Sequence, residues 1–190
     1  SEREIKGLIG ELIFLSTHLA AHEGIGSAVK CWDGPNDSPQ DFCVGDVAIE
    51  VKCQLGTTSA CVAISSEHQL FSQLPFNYLY VVTLGKTEHT PEAVNLLDLV
   101  AGIRGRLSVE APDALEYFND LVYEADYRDD ERYRNFSYLL VNQKMFEIRE
   151  GFPRICPSSI PDGVQRVRYN VSLAACEPFL GKPAWVNLDV

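Results

Sequence analysis

One α/β domain built around a mixed sheet is what this sequence predicts, on three observations. The chain opens with apolar residues at helical spacing, then passes through short β-rich runs bounded by Gly, Pro and Asn. Two further helical stretches and two late β-rich runs follow in loose alternation. With 190 residues, 46% of them apolar, the chain has enough material for one sizeable core but not comfortably for two. Residues 1–190 are therefore expected to form a single domain.

Taken in order, Ile5, Leu8, Ile9, Leu12, Ser16 and Leu19 share one helical face, so a helix is expected over 3–22, stopped by Gly24 and Gly26. A short strand is expected at 28–32. The run Asp33-Gly34-Pro35-Asn36-Asp37-Ser38-Pro39 is loop by turn chemistry. Strands are expected at about 41–44, 47–53, 60–66 and 78–84. Thr90-Pro91-Glu92 has the form of a helix start, Thr as cap and Pro in the first turn, giving a helix to about Leu107. Another helix is expected over 112–126, with late strands at 137–149 and 164–174.

Charge and cysteines narrow the classes. Twenty-seven acids against sixteen bases give −11, which repels a polyanion. Residues 110–132 alone hold nine acids and two arginines, −7, leaving −4 elsewhere, so a side free of this charge can still face nucleic acid. The six cysteines contain no CxxC pair and no metal-finger spacing, and several sit at apolar-periodic strand positions where a free thiol behaves as a small hydrophobe. The sequons at Asn36, Asn135 and Asn170 read as chance matches. No run approaches the roughly 20 apolar residues of a membrane span, and the charged start Ser1-Glu2-Arg3-Glu4 is no signal peptide. A cytoplasmic protein without a membrane partner is expected.

The chemically informative stretch is Gln40 to Cys53. Gly45-Asp46 between two β-rich pieces is a two-residue hairpin turn. That turn sets Val44 opposite Val47, Cys43 opposite Ala48, Phe42 opposite Ile49 and Asp41 opposite Glu50. Opposed residues share a face with Cβ atoms about 4.5–5.5 Å apart, and Lys52 projects on that face too. Two adjacent carboxylates repel unless something compensates them, and a hard divalent cation does so through their oxygens. Asp41, Glu50 and Lys52 thus make a coherent site for metal-assisted hydrolysis, with Mg²⁺ or Mn²⁺ as the ion and the lysine beside the attacking water. The plainer readings are a solvated Glu-x-Lys face and an Asp accepting turn hydrogen bonds. Against them, Ile49 and Val51 mark a buried strand in which unpaired charges are costly.

Asp41 followed by Glu50-Val51-Lys52 resembles the PD-(D/E)XK signature of restriction-endonuclease-like nucleases. The resemblance implies that fold: a mixed sheet flanked by helices, with an N-terminal helix preceding the hairpin that carries the site. It also implies metal held by Asp41 and Glu50, hydrolysis assisted by Lys52, and an accessory glutamate on the first helix. Glu11, on the flank of the apolar stripe, suits that last part, or is a solvent-facing neighbour of it. Gly7-Leu8-Ile9-Gly10-Glu11-Leu12, Trp32-Asp33-Gly34-Pro35, Gln40-Asp41-Phe42, Ile49-Glu50-Val51-Lys52 and Ser65-Ser66-Glu67-His68-Gln69-Leu70 resemble one prokaryotic family of PD-(D/E)XK-motif proteins. Phe152-Pro153-Arg154-Ile155 and Pro161-Asp162-Gly163-Val164 extend the likeness over nearly the whole chain. Gln40 stands where the motif's namesake proline would be. That family resembles components of restriction and phage-defence clusters, which implies DNA as substrate, and a homodimer or other defence subunits as partners. Its members carry more N-terminal sequence, which implies that this chain is a short version or the C-terminal part of a longer one.

Other residues are open to two readings. Gln69 follows a strand and either starts a helix beside the site, touching substrate or water, or is an ordinary polar cap. Arg154, Arg166 and Arg168 either grip phosphates or solvate a strand. Asp46 lies too far along the strand from Glu50 to share an ion and belongs to the turn. His18 and His22 form an i,i+4 pair without an evident third ligand. A catalytically silent nucleic-acid-binding or assembly subunit is the rival reading to a DNA endonuclease.

Overall fold

The computed structural model describes residues 1–56, 60–88 and 90–189. Helix α1 (Glu2–Ile13) begins at a capping box in which Ser1 and Glu4 satisfy each other's backbone N–H. It runs on through a π-helical segment, Phe14–Leu19, into α2 (Ala20–Glu23). The wider turn breaks the single 3.6-residue period assumed for 3–22. Gly24, at φ 78°, ends this run, and α3 (Ile25–Lys30) follows immediately.

A strand had been expected at 28–32, and most of that span is α3 instead. Ile25, Ala28 and Val29 are its buried residues, a helical i, i+3, i+4 set. Trp32 alone is extended, bridging antiparallel to Phe42.

The main sheet has the order β1-β2-β4-β5. Strand β1 (Phe42–Val44) and β2 (Val47–Leu55) form the hairpin, β4 (Phe76–Lys86) is parallel to β2, and β5 (Tyr138–Glu147) is antiparallel to β4. Hairpin pairing is Phe42↔Ile49, Cys43↔Ala48 and Val44↔Val47, as the turn chemistry requires. Gly45, at φ 58°, supplies the left-handed first turn position. A second sheet pairs β3 (Cys61–Ile64) with β6 (Tyr169–Ser172).

Alternation on the central strand sorts the interior into two layers. Tyr78, Tyr80, Val82 and Leu84 of β4 pack with α1, α3, α4 (Leu96–Glu110) and α5 (Leu115–Glu124) on one face. Leu79 and Val81 pack on the other face with Val62, Ile64 and Val171 of the small sheet, and with Phe146 and Phe152. A strand buried on both faces reads as a continuous apolar run, as Tyr78 to Leu84 does.

Two more boundaries differ from expectation. Helix α4 begins not at Thr90 but after Asn95, whose side chain accepts the Asp98 N–H at 3.0 Å. Residues before it instead bridge Val94 to Tyr138 of β5. The last strand covers only Tyr169–Ser172, because the chain turns at once into α6 (Leu173–Cys176). Among the described residues, no helix is long and apolar enough to cross a membrane.

Candidate active site

Strand β1 stops at Phe42, while β2 runs on to Leu55, so the edge of β2 beyond Ile49 has no strand beside it. Asp41 fills the gap with its side chain: its Oδ2 accepts the Val51 N–H at 2.7 Å. The Asp41 carbonyl accepts the N–H groups of Asp33 at 2.8 Å and Gly34 at 3.1 Å. The Trp32-Asp33-Gly34 segment therefore clamps Asp41 from behind.

Glu50 and Lys52 project from the opposite face of β2 to Ile49 and Val51, in register with Leu79 and Val81 of β4. Glu50 is 2% exposed. Its Oε1 accepts the Lys52 ammonium at 2.6 Å, and its Oε2 has no hydrogen-bond partner. The ammonium also donates to Gln69 Oε1 at 3.2 Å, an oxygen that accepts the Ser65 N–H at 2.8 Å. Gln69 stands in a tight turn, not in the helix expected after β3.

Glu11 arrives from α1. Gly10 lets that helix sit close on the sheet, since a Cβ there would lie 3.1 Å from Val82 Cγ1 and 3.2 Å from Cys53 Cβ. Glu11 Oε2 accepts the Trp32 indole N–H at 2.8 Å. At Gly34, a Cβ would lie 2.9 Å from Glu11 Oε2 and 3.0 Å from Asp41 Oδ1. Both carboxylates thus border one small space that only a glycine leaves open.

Burial shifts all three carboxylates in the same direction, and each feels the charge of a neighbour in the site. Burial, then the Asp41 charge, pushes Glu11 up to about 8, with the Trp32 N–H and Lys52 opposing. Burial pushes Asp41 up to about 6 against the pull of Lys52 and the Val51 N–H. Burial and Asp41 hold Glu50 well above the usual carboxylate range. Among the described residues, however, no three His, Cys, Asp or Glu side chains already stand together as an ion-holding group. What fits a hard divalent ion is the chemistry of the donors: three crowded carboxylates, one buried oxygen without a partner, and an open space at Gly34.

The structure places other expected residues elsewhere. Arg154 donates to the Leu70 carbonyl at 2.6 Å, so its guanidinium steadies the turn that carries Gln69. Arg166 and Arg168 are exposed. His18 is buried with Nε2 2.8 Å from Gln143 Oε1, and His22 stacks on Trp185, so the two do not act as a pair. The Asp46 carbonyl accepts the Phe76 N–H at the foot of β4.

Gln40 and Trp32 carry more than sequence reasoning gave them. The buried Gln40 amide donates to the carbonyls of His68 at 2.7 Å and Phe71 at 2.8 Å, pinning the Gln69 turn. A proline at position 40 could not make these bonds. The only signals in the sequence were a departure from a motif and a tryptophan beside a turn.

A mixed sheet with its hairpin carboxylates, an adjacent lysine and a glutamate on the first helix is the restriction-endonuclease-like fold of the PD-(D/E)XK class. Over residues 1–174 the chain matches the family described as "Putative PD-(D/E)XK family member, (DUF4420)", and it belongs to that family. No curated protein and no solved structure matches it.

Proposed function

We propose that this protein is a metal-dependent endonuclease that hydrolyses DNA phosphodiester bonds within a prokaryotic restriction or phage-defence system. The observation that carries the reading is the convergence of Glu11, Asp41 and Glu50 on the open edge of β2 beside Lys52, with Glu50 Oε2 buried and unpartnered. An isolated buried carboxylate oxygen is costly, and a fold retains such a feature where function uses it.

Asp41 and Glu50, with Glu11 as accessory, would hold Mg²⁺ or Mn²⁺. When bound, such an ion lowers the pKa of a coordinated water and polarises the phosphoryl oxygen. Asp41 is held in place by Val51 N–H on its side chain and by the Asp33 and Gly34 amides on its carbonyl. Lys52, fixed between Glu50 and Gln69, orients the attacking water and meets charge that develops on the phosphoryl oxygens. Glu11 keeps its place through the Trp32 indole.

Supercoiled plasmid incubated with Mg²⁺ or Mn²⁺ tests this directly. Nicking is expected, and Lys52→Ala should slow it by roughly 10²–10³ while leaving DNA binding intact, because the lysine acts mainly on the transition state. Equal losses of binding and rate would make Lys52 a phosphate anchor instead. The silent-subunit reading is supported by the many arginines already engaged with carboxylates. It gains if the wild-type protein binds DNA and cuts none.

A further inference from the structure

A polyanion lands where cations are not already neutralised, and in a chain of net charge −11 few are free. Arg104, Arg106, Arg128, Arg132, Arg134 and Arg149 all pair with acids. Arg154 is engaged by the Leu70 carbonyl. Arg3, Arg166, Arg168, Lys6 and Lys30 have no hydrogen-bond or ion-pair partner among the described residues, and of these Arg3 and Arg168 line one cleft of about 570 Å³. Its walls are the first turn of α1 on one side and β3 with β6 on the other, and Ser65, Tyr169 and Asn170 line it too.

This cleft adjoins the candidate active site through Ser65 and Tyr169. Ser65 belongs to both: it lines the cleft, and its N–H holds the same Gln69 oxygen that accepts the Lys52 ammonium. Tyr169, half-buried, lies within electrostatic reach of Lys52 and Arg154. A second cleft, of about 500 Å³, is lined by Glu11 and Gly34 and has the opposite character. Its charged lining is Glu4, Glu11, Asp37, Glu124 and Asp126, without a single base. Glu4 borders both clefts, its side chain turned back onto Ser1 in the capping box.

We infer that the cleft between α1 and the β3–β6 sheet is the track along which a single nucleic-acid strand reaches Lys52, with Arg3 and Arg168 on its phosphates. The inference rests on the nuclease reading and names the side from which the substrate comes. A cleft of this size encloses a small ligand, on the order of a nucleotide or two, and excludes a duplex. Paired cations, neutral donors from Ser65 and Asn170 and ring surface from Tyr169 are what an unpaired strand uses for backbone and base. The acidic cleft beyond Glu11 repels phosphates, so the strand is held on one side of the site only.

Fluorescence anisotropy with a labelled single-stranded oligodeoxynucleotide and with its duplex tests the track, in EDTA so that binding is read without cleavage. The variants are Arg3→Ala, Arg168→Ala and the double, with Lys30→Ala as a charge-matched control that does not line the cleft. Both arginines are exposed, and thermal melts verify that the fold is kept. Losing two phosphate contacts should make the single-strand salt slope shallower by about 1.4, and affinity near 0.1 M salt roughly twenty-fold weaker. Lys30→Ala should bind as the parent does. An unchanged slope in the double variant, or an equal loss in Lys30→Ala, overturns the track. Equal losses on strand and duplex overturn the single-strand assignment. Cleavage of the same single-stranded oligonucleotide by the parent protein with Mn²⁺ separates the two claims. Arginine-dependent binding without cleavage keeps the track and sinks the nuclease. Cleavage with arginine-independent binding does the reverse.

Discussion

Two acidic regions of this molecule are built from the same residue types and behave in opposite ways. The segment 110–132 carries nine acids, yet it is largely solvated and laced with arginine: Arg104 meets Asp129, Arg132 meets Asp130 and Arg134 meets Glu131. Asp129 and Asp130 are held below the usual carboxylate range by those partners. At the β2 edge only three carboxylates meet, but burial drives all of them upward. Water and counter-charges make a dense surface cluster cheap, while desolvation makes a sparse buried one expensive. The number of acids in a stretch therefore says little about where the strain lies.

The largest effect expected from this difference is on stability against pH. A carboxyl raised in the folded state binds its proton more tightly there than in the unfolded chain. Its contribution is therefore full below the ordinary value and lost as pH rises through the folded one. Without metal, melting temperature should fall between about pH 4 and pH 8, first as Asp41 titrates near 6 and then as Glu11 does near 8. Allowing for solvent in the cleft, Asp41 alone accounts for on the order of 2 kcal/mol, or roughly 4–8 °C. Combining Glu11→Gln, Asp41→Asn and Glu50→Gln should flatten this fall, since all three carboxyls are raised by burial. A fall that persists in the triple variant would place its source outside the buried cluster, and the comparison would fail.

A smaller effect is expected at Gln40. Gln40→Ala removes the donor from the His68 and Phe71 carbonyls, costing about 1 kcal/mol per bond, and frees the turn that carries Gln69. Plasmid nicking should fall by about tenfold, within the range lost when a catalytic group is displaced. Full activity in this variant would show that Lys52 keeps its place without the turn. The smallest effect belongs to the exposed region, where Arg132→Ala should leave the melting temperature unresolved from the parent, because its pairing with Asp130 is screened by water. A clear drop would mean that the surface network is cooperative.

What could be read from the sequence divides along the same line between local and distant causes. Gly45-Asp46 dictates a two-residue turn, and that turn alone sets Phe42 opposite Ile49. Tyr78 to Leu84 announced a central strand by being apolar throughout. The span 28–32 misled because the helical set Ile25, Ala28 and Val29 begins only one residue after Gly24. Asn95 outcompeted Thr90 as a cap because the residues between them bridge to β5, a contact over forty residues away in sequence. Glu50 and Lys52 were visible as one face of the hairpin, whereas Asp41 lies just outside β1 and meets β2 through its side chain on the Val51 N–H. The grip of Trp32 on Glu11 and of Gln40 on residues 68–71 depends on chain segments that meet only after folding.

The shortness of β1 has a consequence for how the protein keeps company with other chains. Beyond Ile49 the edge of β2 would offer bare N–H and carbonyl groups to any extended segment that drifted past, the usual opening for strand addition and aggregation. Asp41 occupies that position with a charged side chain bonded to the Val51 N–H. The residue proposed as a metal ligand thus also serves as gatekeeper. Asp41→Ala should scatter light on gentle heating before it unfolds, whereas Asp41→Asn, which can still accept the bond, should not. A protein that silenced this site by shortening the aspartate would have to shield its edge in some other way.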